Sequence, residues 1–141
     1  MTTEQPAAVA RKFHTLYDQG DLAGMEQLVS KNCIVHQPGV PDALDFAAFR
    51  QIGVTFLSAF KNSRHVFEEQ IAEGDKVMLR GTWSATQTGD FQGIPASGKS
   101  FKIDILIIDR VVEGKIVEHR AMMDTLGFMQ QLGVIPAAQQ G

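Results

Sequence analysis

Asp124 is the strongest candidate for a residue that performs chemistry. It ends a stretch of mostly apolar residues and precedes a short apolar segment with helical spacing. Burial among methionine and isoleucine side chains would suit its carboxyl group to general acid–base work near neutral pH, because a desolvated carboxyl group holds its proton more tightly. The same position is typical of a helix N-cap, which stabilises a helix by about 1 kcal/mol. The residues alone leave both roles open.

Arg120 and Met122 are expected to share a sheet face with Asp124, because side chains alternate along a strand. Arg120 could hold the carboxylate in its ionised form or bind an anionic part of a ligand, and it could equally be a surface residue. Met122 would form part of the apolar wall around the carboxyl group.

Asp104 is a possible second carboxylate, because it interrupts an otherwise apolar strand pattern. Its face depends on the register of the hairpin that turns at 113–114. A two-residue turn places Ile103 opposite Asp124 and sends Asp104 to the other face. A three-residue loop with a bulge pairs Asp104 with Met122 and brings it to the face of Asp124. The sequence leaves both registers open.

The sequence predicts different surroundings for the four histidines. His36 ends a short strand beside a Pro-Gly turn and is expected to line a pocket or to donate to the turn. His14 and His65 are expected at the surface. His119 alternates out of phase with Asp124 and is expected to face away from it. The histidines form no tight HxH or HxxxH pair, so no metal site is predicted.

Residues 93–100 satisfy the P-loop pattern GxxxxGK(S/T). A working P-loop requires a strand before the pattern and a helix after it, so that the helix N-terminus faces the phosphates. The residues that follow, Phe101, Ile103 and Ile105, alternate as in a strand. We therefore predict a loop between two strands and no nucleotide site.

The elements that must position these side chains begin with helices. The first is predicted from Pro6 to a stop at Gly20, and a short second helix follows the N-cap candidate Asp21. A short strand over 33–36 and a third helix from near Asp45 come next. That helix carries a wide apolar stripe of core and pocket-lining candidates: Phe46, Phe49, Ile52, Phe56 and Phe60.

Two hairpins are predicted in the second half of the chain. The first pairs 66–72 with 76–86, the second pairs 101–112 with 115–124, and a short helix over 126–132 follows. Helices followed by an antiparallel meander indicate an α+β fold. No repeated βα alternation favours a doubly wound parallel sheet.

Composition excludes several classes of protein. The 141 residues, 44% hydrophobic and 21% charged, predict a single folded domain over 1–141. A net charge of −3 argues against an electrostatic grip on nucleic acid. A lone cysteine, Cys33, excludes an internal disulfide framework. Neither a signal peptide nor an apolar run long enough for a membrane span is present, so we expect no membrane partner and a cytoplasmic location.

Several short motifs resemble one family in order and spacing. They are HQPG at 36–39, AEGDKV at 72–77, TGDFQGIPASGK at 88–99, GKIVEH at 114–119, and DTLG at 124–127 with QQLG at 130–133. With them the chain resembles the SnoaL-like polyketide (ester) cyclases of the NTF2-like, ketosteroid-isomerase-like superfamily. The resemblance implies a cone in which a curved antiparallel sheet wraps around helices and leaves a deep apolar pocket.

The resemblance also implies a function. Family members perform an intramolecular aldol condensation without metal or cofactor, so lyase or isomerase chemistry on a small apolar or aromatic carbonyl compound is expected, and so is a homodimer. The family's acid–base aspartate maps to Asp124, which becomes the predicted catalytic residue. The predicted substrate-binding residues are His36, Gln87, Asp104, Arg120, Met122 and Phe56.

Two departures from the family pattern bear on the substrate. Gln87 stands where members often have histidine, and Arg120 stands where they usually have tryptophan. They predict a pocket that is not shaped for a large aromatic polyketide. Two other functions remain open: a non-catalytic small-molecule binding protein, and an epoxide hydrolase of the limonene type. The latter would need an Asp-Arg-Asp cluster from Asp104, Arg120 and Asp124.

Overall fold

Two long helices and a five-stranded sheet make up most of the computed structural model, which describes residues 5–136. Helices come first and the antiparallel hairpins follow, so the predicted α+β class is confirmed. The elements in chain order are α1 (Pro6–Asp18), α2 (Leu22–Glu26), β1 (Val29–His36), α3 (Phe46–Ala59), β2 (Phe60–Glu73), β3 (Lys76–Gln87), β4 (Ser100–Val112), β5 (Lys115–Met123) and α4 (Thr125–Gln131).

The sheet has the strand order β1-β5-β4-β3-β2. The pairs from β2 to β5 are antiparallel, whereas β1 runs parallel to β5. Helix α1 packs against β2 to β5, and α3 packs against β1 and β2. We call the sheet face under these helices the inner face and the opposite one the outer face.

Aspartates begin two of the helices, as the sequence predicts. The side chains of Asp21 and Asp45 accept hydrogen bonds from the backbone N–H groups of Gly24 and Ala48, each at 2.8 Å. These bonds satisfy donors that a helix start otherwise leaves unpaired. None of the described helices is long and apolar enough to cross a membrane.

Phe60 was predicted to close the apolar stripe of the third helix, but it begins β2 instead. Its backbone is extended (φ −125°, ψ 130°), so the helix ends at Ala59. The ring still belongs to the core, where it packs against Trp83 and Phe101. Tertiary packing explains both outcomes, since the ring is buried from either element.

The P-loop-like segment connects β3 to β4, as predicted. β4 begins at Ser100, directly after Lys99, so no helix follows the pattern. The segment therefore has no helix N-terminus with which to hold phosphates.

The turn between β4 and β5 has the two residues that the first predicted register requires. Val112 lies opposite Lys115. Glu113 and Gly114 both have positive φ, 52° and 77°, as in the turns whose twist matches that of a hairpin. The register with a three-residue loop is therefore wrong.

A bulge in β5 then changes the register that the turn alone would set. Val111 pairs with Ile116, but the next pair is Arg110 with Glu118, so Val117 is an extra residue on β5. Because side chains alternate, one extra residue moves every later side chain of β5 to the opposite face. The first register is therefore also wrong beyond the bulge.

The bulge reverses the predicted orientation of the functional candidates. His119, Ala121 and Met123 lie on the inner face, and Asp124 faces outward. The backbone N–H of Asp124 donates to the carbonyl of Asp104 at 3.1 Å. Asp104 and Asp124 thus share a face, but it is the exposed outer face. His119 and Asp124 lie on opposite faces, as expected, but His119 is the one that faces the helices, so the expectation that the face of Asp124 forms the pocket is wrong.

Candidate active site

An apolar cavity of about 100 Å³ lies between the inner face of the sheet and helices α1 and α3. Aromatic and aliphatic side chains from all of these elements form most of its wall. Five polar side chains interrupt that wall: His14 and Tyr17 from α1, Gln37 from the turn after β1, His65 from β2 and His119 from β5. A mostly apolar hollow with a few convergent polar groups is the usual form of a small-molecule site.

His119 is held by a buried carboxylate. Its Nδ1 lies 2.6 Å from Oδ1 of Asp109, and the two side chains are 3% and 0% exposed. Asp109 is opposite His119 in the β4–β5 register, which places both on the inner face. Because a carboxylate can only accept, Nδ1 carries the hydrogen, and in the uncharged form of the ring Nε2 has a lone pair. Within the described residues Nε2 has no hydrogen-bond partner.

The surroundings of Asp109 leave its second oxygen without a partner. Oδ2 is buried and accepts no hydrogen bond from the described residues.

Cys33 lies close enough to Asp109 to feel its charge. Burial, and then the negative charges of Asp109 and Glu118, raise the pKa of Cys33 to about 11. The Cys33 thiol therefore stays neutral near pH 7 and is no candidate nucleophile.

A second histidine–carboxylate pair, His65 with Asp18, lies on the same cavity. Nδ1 of His65 donates to Oδ1 of Asp18 at 2.7 Å, and the backbone N–H of His65 donates to Oδ2 at 2.7 Å. The hydroxyl of Ser63 adds a bond to Oδ1 at 2.7 Å, and Nε1 of Trp83 donates to that hydroxyl at 2.9 Å. Burial alone would raise the pKa of Asp18, but the bonds and charge from His65 and the Ser63 bond lower it.

His14 lies between the two pairs. Its ring centre is 5.1 Å from that of His65 and 5.6 Å from that of His119. Nδ1 lies 3.0 Å from the carbonyl oxygen of Ala10, to which it donates. Burial first, and then the charges of His65 and His119, hold the pKa of His14 well below its usual range. His14 is therefore a neutral ring in this cavity.

Tyr17 is the fourth titratable group on the wall. Burial, and then the negative charge of Asp18, raise the pKa of its hydroxyl. It remains a neutral phenol, able to donate or accept a hydrogen bond.

Asp124 does not have the desolvated environment that the sequence predicts. Its side chain is exposed, is absent from the cavity wall, and accepts a hydrogen bond from the backbone N–H of Gly127 at 2.9 Å. It is the N-cap of α4, which was the alternative reading of the residue. Its catalytic role stays a prediction, without the buried setting on which that prediction depended.

Three other candidates lie outside the cavity. Asp104 and Arg120 are exposed on the outer face, Asp104 through the regular alternation of β4 and Arg120 because the bulge reverses β5 there. Nε2 of His36 lies 3.0 Å from Oε2 of Glu118 instead of lining the cavity. The structure therefore places none of the three on the cavity wall.

Gln87 is buried, but it organises the loop between β3 and β4. Its amide nitrogen donates to the carbonyls of Gly89, Ile94 and Pro95 at 3.2 to 3.3 Å, and its oxygen accepts from Ser97 at 2.7 Å. These bonds use the polar atoms that were expected to bind substrate.

Phe56 and Met122 do line the cavity. Phe56 packs within the aromatic cluster beneath α3, with its ring 5.7 Å from that of Trp83. Met122 is 60% exposed and stands at the rim.

Sequence reasoning missed the residues that make the cavity polar. Asp109 could have been found, because it falls in the buried phase of β4 with Ile105 and Ile107. His14 and His65, expected at the surface, face the cavity, and no local pattern reveals that their helix and strand meet there. Among residues 5–136 no group of three or more His, Cys, Asp or Glu side chains is arranged to hold a metal.

The family model described as SnoaL-like polyketide cyclase matches residues 7–132. The chain belongs to the SnoaL-like polyketide cyclase family. A curated SnoaL-like relative, the aklanonic acid methyl ester cyclase DnrD of Streptomyces peucetius, is 31% identical over 109 residues, which cover 76% of this chain and 72% of the relative.

Solved structures confirm the fold of this SnoaL-like chain. AclR of Streptomyces galilaeus, for which a hydroxylase function has been suggested, superposes with a TM-score of 0.86 at 24% identity, covering 96% of this chain and 85% of AclR. IdmH of Streptomyces antibioticus, a suggested polyketide cyclase, superposes with a TM-score of 0.84 at 24% identity, covering 92% and 99% of the two chains. At this identity the likeness establishes the SnoaL-like fold and leaves the reaction to the site.

Proposed function

We propose that the protein is a cyclase or isomerase that moves protons on a small apolar carbonyl compound through an enol or enolate. Membership of the SnoaL-like cyclases supports the reaction class. One observation carries the site: His119 lines an apolar cavity while Asp109 holds its Nδ1 at 2.6 Å, which leaves Nε2 without a partner among the described residues. An imidazole held in this way is a general base.

His119 takes the proton in this mechanism. Its Nε2 accepts a proton from the carbon next to a carbonyl group, and the electrons of that C–H bond form the enolate. In ring closure the enolate carbon bonds to a second carbonyl carbon, whose oxygen then receives a proton. The product is an isomer of the substrate. Asp109 keeps the ring oriented and balances the imidazolium that forms.

The apolar wall supports this proton transfer. The rings of Phe13 and Phe49 lie 5.4 and 5.6 Å from the His119 ring, centre to centre, and exclude water from one side of it. In a water-poor site, fixed charges and hydrogen bonds act more strongly on the transition state than they do in solution.

The size of the cavity supports a small substrate. Its 100 Å³ is small beside the range of about 300–1,000 Å³ that is common for ligand pockets. A compound of one or two rings therefore suits it better than a multi-ring polyketide, although Gln87 and Arg120, from which a smaller pocket was expected, do not line the cavity.

The test follows the proton. In D₂O the wild-type protein should exchange deuterium into the carbon next to the carbonyl of β-tetralone, and NMR measures the rate. His119→Gln should slow this exchange by about 10²–10⁴-fold, since that is the usual contribution of a general base. His36→Gln is the matched control, because His36 lies outside the cavity. Equal rates for His119→Gln and wild type would overturn the mechanism.

Ring closure is tested on a panel of one- and two-ring keto esters, with aklanonic acid methyl ester as the large member. Product formation by the wild type, lost in His119→Gln and kept in Asp124→Asn, supports the proposal. The reverse pattern would restore the assignment of Asp124. Binding without exchange or closure would favour the alternative, a non-catalytic binding protein.

Two further expectations remain proposals. The homodimer is checked by light scattering during gel filtration, and independence of cofactors by activity after dialysis against a chelator. For the epoxide hydrolase no observation speaks in favour: no Asp or Arg is among the cavity-lining residues of the described chain, and Arg120 faces outward.

A further inference from the structure

The His65–Asp18 pair lies on the cavity but has no part in the proton abstraction assigned to His119. We infer that His65, as an imidazolium balanced by Asp18, donates from Nε2 to the ligand oxygen that becomes negatively charged, so that the cavity takes flat phenolic, enolic or enone-type compounds. The inference rests on the proposed function and assigns a second catalytic residue to it.

The first step is the charge of Asp18. Its two oxygens accept three hydrogen bonds, from the Ser63 hydroxyl and from the backbone N–H and the ring of His65. A carboxylate bonded in this way is held ionised. Because Nδ1 of His65 is one of the three donors, the negative charge lies directly against the ring and can balance an imidazolium.

The second step is the orientation of the ring. Trp83 stacks on His65 at 5.8 Å with 14° between the ring planes, and Tyr17 meets it edge-on at 5.6 Å. The side chain of His65 is 11% exposed. With Nδ1 engaged and the ring packed on two sides, Nε2 is the atom left to meet a ligand in the cavity.

The third step is the charge of the other groups on the wall. The titratable groups that face the cavity or hold those that do are His14, Tyr17, His119, Asp18 and Asp109. His14 and Tyr17 are neutral near pH 7, and His119 is assigned as the base. No lysine or arginine is among the cavity-lining residues of the described chain. His65 is therefore the group best placed to stabilise an oxyanion there.

The proton count closes with this assignment. Nε2 of His119 takes one proton from carbon, while Nε2 of His65 donates a hydrogen bond to the oxygen at which the bond-forming electrons arrive and keeps its own proton. That oxygen then receives one proton from solvent, and His119 releases the proton that it took. No proton is consumed overall, and no oxidant or other reactant is required.

The test uses β-naphthol, a flat phenol that cannot react. We expect the wild-type protein to bind it, with the His65 Nε2 signal shifting in ¹⁵N NMR spectra. His65→Gln and Asp18→Asn should weaken binding by about tenfold to a hundredfold, the range for a hydrogen bond to a charged group. His36→Gln serves as the control and should bind like the wild type. Circular dichroism checks that each variant is folded. If Asp18→Asn does not fold, the result for His65→Gln alone decides the test.

Two outcomes overturn the inference: equal β-naphthol affinity for His65→Gln and wild type, or no binding to wild type at millimolar β-naphthol. Both can be separated from failure of the proposed function, which is read from β-tetralone exchange by His119→Gln. A protein that loses exchange in His119→Gln yet keeps naphthol affinity in His65→Gln would keep His119 as the base and lose His65 as the hydrogen-bond donor to the oxyanion.

Discussion

The same pair of residue types occurs twice on one cavity, with opposite degrees of hydrogen bonding. Asp18 accepts three hydrogen bonds around His65, whereas Asp109 accepts one from His119 and leaves Oδ2 without a partner. A fully bonded carboxylate is a fixed charge, and a buried one with an unpaired oxygen is costly to keep. The difference indicates that His65–Asp18 maintains a constant charge, while His119–Asp109 is the pair whose charge changes during turnover.

The largest effect is expected from a substitution in the His119–Asp109 pair, whose charge changes during turnover. Asp109→Asn keeps the shape of the side chain and removes its negative charge, so the imidazolium at His119 loses its counter-ion. We expect kcat to fall by about a hundredfold or more, as for a disabled general base. The melting temperature should change little, because the substitution also removes a buried carboxylate with an unpaired oxygen. Wild-type kcat in this variant would contradict the comparison.

The second effect concerns the pair with constant charge, and it appears in stability. Asp18→Asn weakens three hydrogen bonds, so we expect a loss of about 2 kcal/mol in the free energy of unfolding at pH 7. Because the pKa of Asp18 lies below its ordinary 3.8 in the folded protein, its contribution is present above that pH and is lost as the pH falls through the lowered pKa. Urea denaturation at several pH values should show a flatter acid limb in the variant. If the acid side of the stability profile is the same in Asp18→Asn and wild type, Asp18 does not act as a fixed charge.

A smaller effect on stability is expected at His14, whose ring lies between the two histidine–carboxylate pairs. The pKa of His14 is lowered in the folded state, so below its ordinary value of 6.5 the unfolded chain binds a proton that the folded protein does not. Stability should therefore fall as the pH drops from 6.5 towards the lowered pKa, with a slope of at most about 1.4 kcal/mol per pH unit. Denaturation of His14→Gln should lack this slope. If the variant keeps it, another group titrates there.

The smallest effect is expected outside the cavity. Asp124→Ala removes the N-cap of α4 and should cost about 1 kcal/mol of stability, while Asp124→Asn, which also caps well, should cost less. Both variants should keep the β-tetralone exchange rate within about twofold, because neither touches the cavity wall. A loss of exchange comparable with that of His119→Gln would return the catalytic role to Asp124 and end the comparison.

Much of the fold could be predicted from the sequence, and the failures have local causes. Aspartate caps and glycine-containing turns act over three or four residues, so the starts of α2 and α3 and the β4–β5 turn are where the sequence places them. The site was harder, because its polar residues come from α1, β2, β4 and β5. Of the predicted substrate-binding residues only Phe56 and Met122 line the cavity, and Phe49 and Ile52 from the predicted apolar stripe of the third helix join them.

By itself the sequence determined the α+β order of elements, the family and the turn that joins β4 to β5, since periodicity, caps and turn residues act on near neighbours. Tertiary structure decided which face of β5 meets the cavity. Strand alternation has a period of two, so one extra residue, Val117, exchanges Asp124 for His119 on the inner face. No residue type in β5 predicts that bulge from the sequence, because the bulge is set by the pairing of β5 with the strands on both sides of it.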